Sequence, residues 1–213
     1  MDLINEEPAP PVLVIATFKA TRIVNSQSIE LARPKTLEFM ILHRFGSMKN
    51  GVYDLFGMDE AAIRFDLKYG INDRISTGVG RSSLKKTYDI FSKIKLMNQS
   101  NVFPFSLALF ADIEIETLKR ENNFLDELVN RITYDTQLLM AKKFNQNLSL
   151  QIMPTWVHHN LVKKHEDVHD LYSMGVGGRM KITKRVSLNA DTFFPVGKRG
   201  SNFVQSWGLG CDI

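Results

Sequence analysis

From Lys35 to the end of the chain, apolar and polar residues alternate with a period of two, as strands with two unlike faces require. Leu37, Phe39, Ile41 and Phe45 oppose Thr36, Glu38, Met40 and Arg44, and Ile63, Phe65, Leu67 and Tyr69 oppose Arg64, Asp66 and Lys68. Ile75, Thr77 and Val79 oppose Ser76, Gly78, Gly80 and Ser82. The glycines on that second face predict crowding at a curved, inward surface. Tyr88 to Met97 alternates less cleanly, with Lys93 and Lys95 on its polar face. Phe103, Phe105, Leu107, Leu109, Ile113 and Ile115 then oppose Ser106, Ala108, Asp112 and Glu114, and Ile132, Tyr134, Leu138 and Met140 oppose Thr133, Asp135 and Gln137. Leu148, Leu150, Ile152 and Trp156 oppose Ser149, Gln151 and Thr155, while Tyr172, Met174, Val176 and Met180 oppose Ser173, Gly175, Gly177, Arg179 and Lys181. Val186, Leu188 and Ala190 face away from Ser187, Asn189 and Asp191, and Phe203, Trp207, Leu209 and Ile213 from Ser206, Gly208, Gly210 and Asp212. The pattern predicts about ten strands, each about long enough to cross a bilayer at a tilt.

One turn recurs between them. Ile71-Asn72-Asp73-Arg74-Ile75-Ser76, Phe144-Asn145-Gln146-Asn147-Leu148-Ser149 and Ile182-Thr183-Lys184-Arg185-Val186-Ser187 share an apolar residue, a short polar step, Arg or Asn, an apolar residue and Ser. The connections between these turns are longer and more polar: 46–59, 83–87, 116–130, 160–170 and 195–202. Short turns at one end and long loops at the other are the layout of an up-and-down membrane barrel. The polar faces, rich in Gly, Ser and charges of both signs, suit an interior better than a solvated exterior. Residues 1–34 read as a partly flexible lead-in and 35–213 as the barrel. The stretch 12–34 fits either an extra strand or a segment packed at one mouth.

Composition narrows the class. Hydrophobic residues make up 44% of the 213 and charged ones 23%, which excludes disorder. No window approaches the roughly 18 apolar residues of a membrane-crossing helix. The net charge of +4 is small, and no basic run is interleaved with aromatics, so nucleic acid is not an expected partner. Cys211 is the single cysteine, which leaves no disulfide framework. The start, Met1-Asp2-Leu3-Ile4-Asn5-Glu6-Glu7, lacks the features of a signal peptide.

At Val14-Ile15-Ala16-Thr17-Phe18-Lys19, Leu37-Glu38-Phe39, His43-Arg44-Phe45-Gly46, Gly78-Val79-Gly80-Arg81-Ser82-Ser83, Lys86-Thr87-Tyr88-Asp89 and Gly175-Val176-Gly177-Gly178-Arg179, the chain resembles an uncharacterised family of Gram-negative outer-membrane β-barrel proteins. The Gly-Arg-Ser-Ser block is the most specific part of the likeness. The resemblance implies a fold and a location but no activity. It also implies precursors with a signal peptide, and a further hairpin that would make twelve strands.

Two groups of residues are candidates for chemistry. Arg64, Asp66, Lys68, Lys93, Lys95, Asp112, Glu114, Asp135, Arg179 and Lys181 would line the lumen, either bordering a narrow aqueous path or closing it by pairing across strands. His158, His159, His165 and His169 lie in one loop with several carboxylates, a composition that suits a divalent metal or a solvated loop. His43 and the glycine pairs offer no nucleophile elbow or phosphate loop, so no catalytic residue and no cofactor is expected. An outer-membrane hydrolase is the minor enzymatic alternative. The expected function is therefore a non-enzymatic outer-membrane β-barrel, acting as a narrow channel or as a structural or partner-binding component. Its partners would be the lipid bilayer and a candidate outer-membrane or periplasmic protein. The alternative is a soluble or periplasmic barrel holding a small apolar ligand.

Overall fold

The computed structural model describes residues 13–14, 16–118, 127–162, 168–197 and 205–213. Ten strands follow one another: β1 (Leu37–Arg44), β2 (Ala62–Gly70), β3 (Ile75–Ser82), β4 (Thr87–Met97), β5 (Ser106–Glu116), β6 (Ile132–Lys143), β7 (Leu148–His159), β8 (Asp170–Lys181), β9 (Ser187–Val196) and β10 (Trp207–Asp212). They form one antiparallel sheet in the order of the sequence. Among the described residues β1 and β10 are its two edges, with no backbone pairing between them.

The predicted turns share one mechanism. In the first, the amides of Ile71 and Asn72 donate to the Ile75 carbonyl, and Asn72 Oδ1 accepts the amides of Arg74 and Ile75. Asn145 Oδ1 accepts the amides of Asn147 and Leu148 in the second turn. Thr183 Oγ1 accepts those of Arg185 and Val186 in the third. A side-chain oxygen thus satisfies two amides that the ladder cannot reach, which is why Asn or Thr stands at the same place in each copy. The connection between β4 and β5 differs. Phe103 and Phe105 precede β5 because Ser100 folds the chain back, its hydroxyl accepting the amides of Val102 and Phe103.

The two faces of the sheet are inverted relative to a soluble barrel. Phe39, Ile90, Ile113, Tyr172, Leu188 and Leu209 point outward and are exposed. Asp66 and Gln151 on the opposite face are fully buried. The outward Tyr and Trp rings of the strands collect toward the strand ends, whereas Phe39 and Phe65 stack further in. Tyr88, Tyr134, Trp156, Tyr172 and Trp207 lie toward the long loops and Tyr69 toward the turns, as expected of rings at a lipid–water boundary. Pro154 points outward within β7, and the β6–β7 ladder lapses beside it, between Gln137↔Thr155 and Met140↔Ile152. Proline brings no amide donor to that step.

Inner glycines let the sheet curl tightly. A Cβ on Gly80 would collide with the Asp89 carboxylate and the Arg64 guanidinium, and one on Gly78 with the ring of Phe91.

Candidate functional site

The interior is filled by the segment before β1. It is neither an extra strand of the sheet nor a cap at one mouth, the two placements its sequence suggested. The chain enters beside the β4–β5 connection, where Leu13 bridges Ser100 and the Val14 amide donates to the Gln99 carbonyl. It leaves at the same end, where Pro34 bridges Gly70. Between these points residues 21–28 form a small hairpin. Arg22 pairs with Gln27, the Ile23 amide donates to Ser26 and the Ser28 amide to Thr21.

A buried hairpin with so few ladder bonds must satisfy its remaining polar groups elsewhere, and the inner face of the sheet supplies partners from most sides. Asp191 on β9 holds the tip, its Oδ2 accepting the amides of Val24 (3.0 Å) and Ser26 (2.8 Å) and the Ser26 hydroxyl (2.7 Å). Asp66 on β2 accepts from Arg22 Nε at 3.1 Å and Nη2 at 2.7 Å. Lys93 on β4, 3% exposed, donates Nζ to the carbonyls of Thr21, Ser28 and Glu30. Gln151 on β7 donates to the Gln27 carbonyl at 2.7 Å. Thr21 Oγ1 donates to Glu38 on β1 and accepts from Lys68 Nζ, and Lys95 stands 3.7 Å from Glu30. Below this polar frame Phe18, Ile23 and Ile29 pack against Phe91, Phe110, Leu139 and Met153. Each such buried side chain contributes roughly 1.5–3 kcal/mol.

The expected lumen charges are thus distributed unequally. Arg64 extends the network that Arg22 makes with Asp66, with Nε on Asp66 at 2.7 Å and its two terminal nitrogens on Asp89 at 2.7 and 2.6 Å. Lys93 and Lys95 turn to the inserted segment, whereas Lys68 meets Thr21 and also pairs across strands with Glu38 at 3.4 Å. Arg179 donates Nη2 to Ser187 Oγ and lies 3.5 Å from Asp212, and Lys181 is half-buried at the turn end. Asp112 and Asp135 face each other across the β5–β6 ladder, and Glu114 is half-buried. Sequence reasoning missed Arg22, Asp89, Gln151 and Asp191 as members of this interior set. Asp191 and Gln151 fell on polar faces of the alternation, which was the available signal.

The four histidines do not share one loop: His158 and His159 end β7, His169 stands just before β8, and His165 lies outside the described residues. His158 Nδ1 is 2.8 Å from Asp170 Oδ1, which also accepts from Trp156 Nε1. His169 Nδ1 is 2.7 Å from the His159 carbonyl, and His159 Nδ1 is 3.0 Å from Thr133 Oγ1. The His158 and His169 rings stack at 6.1 Å. Among the described residues no three His, Cys, Asp or Glu side chains come together in a way that could hold a metal ion.

Apolar walls outside, a polar interior and ten sequential antiparallel strands define the class as a membrane β-barrel. The chain belongs to the family described as "membrane bound beta barrel domain" (DUF5777), a domain of unknown function whose pattern it matches over residues 18–213. That span includes the interior hairpin. No curated protein matches the sequence.

Proposed function

We propose that the protein is a non-enzymatic outer-membrane barrel closed by its own inserted hairpin, with a structural or partner-binding role rather than that of an open channel. The observation that carries this is the hairpin at residues 21–28, held by side chains of β1, β2, β4, β7 and β9. A water column through the lumen would have to displace buried ion pairs whose loss costs several kcal/mol each. The short turns are assigned to the periplasmic side and the long loops to the cell exterior, by the usual layout of such barrels. A partner-binding role has support at the loop end. Met48, Val52, Tyr53, Leu55, Phe56 and Met58 of the β1–β2 connection are all exposed there. An apolar ligand inside the barrel is disfavoured, because the inner apolar side chains already pack against Phe18, Ile23 and Ile29.

Planar-bilayer recording tests the closed reading. The wild-type barrel is expected to stay silent, and the double variant Arg22→Ala, Lys93→Met to show conductance steps. Steady steps from the wild type would overturn it. Cell fractionation tests the location, and recovery in the inner-membrane fraction would refute the outer-membrane assignment.

A further inference from the structure

On the inner face of β5 and β6, nearer the long loops, three side-chain oxygens lack a partner. Asp112 and Asp135 are direct partners in the β5–β6 register and both point inward. Directly opposed residues on one face of an antiparallel pair have Cβ atoms about 4.5–5.5 Å apart, so the two carboxylates share one space. Asp112 is only 6% exposed, and neither its Oδ1 nor Asp135 Oδ1 meets a hydrogen-bond donor among the described residues.

Gln137, two residues along β6 and 8% exposed, adds an independent observation. Its Nε2 donates to Asp135 Oδ2 at 2.9 Å, which holds the amide beside Asp135. Its Oε1 is likewise without a partner. Arg64, the guanidinium that could have neutralised the pair, spends its Nε on Asp66 and its two terminal nitrogens on Asp89. Orphaned buried oxygens in a folded protein call for a water or an ion. Two carboxylates in one confined space cannot both carry a charge unless a counter-charge joins them, the alternative being a shared proton.

Two carboxylate oxygens and an amide oxygen, with no nitrogen or sulfur donor, suit a hard cation. Because no third acidic or imidazole ligand converges here among the described residues, water must complete the shell. We propose that Asp112, Asp135 and Gln137 bind a hydrated divalent cation of the magnesium–calcium class, reached from the loop end of the barrel. Magnesium commonly keeps several waters and takes only one or two protein carboxylates. The site does not depend on whether the lumen conducts.

The full chain, folded in detergent micelles and stripped with EDTA, is titrated calorimetrically with magnesium chloride and then with calcium chloride. A single saturable binding event is expected for at least one of them. Asp112→Asn combined with Asp135→Asn should weaken it by about 100-fold, and Gln137→Leu by about 10-fold. Asp73→Asn, in an exposed turn, should leave it unchanged. The Asn variants remove a like-charge contact, and heat-modifiable gel migration confirms that they fold. Absence of saturable heat for both ions in the folded wild type overturns the proposal. So does undiminished binding in the double Asn variant, or a protonated-carboxyl infrared band in the metal-loaded wild type that disappears in Asp112→Asn.

Discussion

Ser26 and Asp191, 165 residues apart in sequence, are joined by two hydrogen bonds to a single carboxylate oxygen. The same oxygen accepts the Val24 amide, so one side chain of β9 caps the tip of the inserted hairpin. Replacement by alanine leaves two buried amides and a hydroxyl without an acceptor. Asp191→Ala is expected to lower unfolding free energy by about 3 kcal/mol or more, read from urea denaturation in micelles. Asp73→Ala, exposed in the first turn, should shift it by less than about 0.5 kcal/mol.

Gly208 tests the same contact from the other side. A Cβ there would fall on Asp191 Oδ1, with Asn25 Nδ2 at 3.0 Å. Gly208→Ala is therefore expected to loosen the hairpin by about 1–3 kcal/mol. Faster amide hydrogen exchange at residues 21–28 is the measurement, and unchanged protection there counts against the argument.

Lys93 is the second clamp. Lys93→Met nearly keeps the length of the side chain but removes its hydrogen bonds to the carbonyls of Thr21, Ser28 and Glu30. A loss of about 3 kcal/mol in unfolding free energy is expected, since each orphaned buried acceptor carries its own desolvation penalty.

The three turns make a quantitative prediction about equivalence. Asn72→Ala, Asn145→Ala and Thr183→Val should each cost about 1 kcal/mol, and the sites are separate enough for the losses to add. Thr183→Asn should be neutral, because Asn supplies the same acceptor in the other two copies. A much larger loss at one turn would mean that the shared hydrogen bonding is not what the repeat preserves.

Trp156 and Trp207 lie near the loop ends of β7 and β10 and face outward, 38% and 62% exposed. Their fluorescence should be quenched more by lipids brominated near the headgroup than by lipids brominated deep in the chain. Stronger quenching by the deep bromines would contradict a place at the boundary.

The strands were legible in the sequence because most of them keep a period of two over much of their length. Ile63 to Tyr69 and Leu148 to Gln151 show the alternation in the structure as they do in the chain. The inward Phe91, Phe110, Leu139 and Met153 broke that rule. They are apolar on the polar face because they pack against Phe18, Ile23 and Ile29. The hairpin itself was illegible. Residues 21–28 carry neither alternation nor a glycine turn, and they are fixed by partners such as Asp66 and Asp191 that lie far away in sequence. Local pattern records the pleat, whereas tertiary capture leaves only single charged residues as traces.

The inserted hairpin also gauges the barrel. It touches Glu38 and Asp66 near one edge of the sheet and Asp191 near the other, and Asn25 Nδ2 reaches the Trp207 carbonyl on β10 itself. A sheet of given strand number can coil with different tilt and stagger, and its radius varies with them. Here a hairpin of eight residues is in contact with both edge regions of the sheet at once, so any tilt and stagger of the strands must leave room for that one plug.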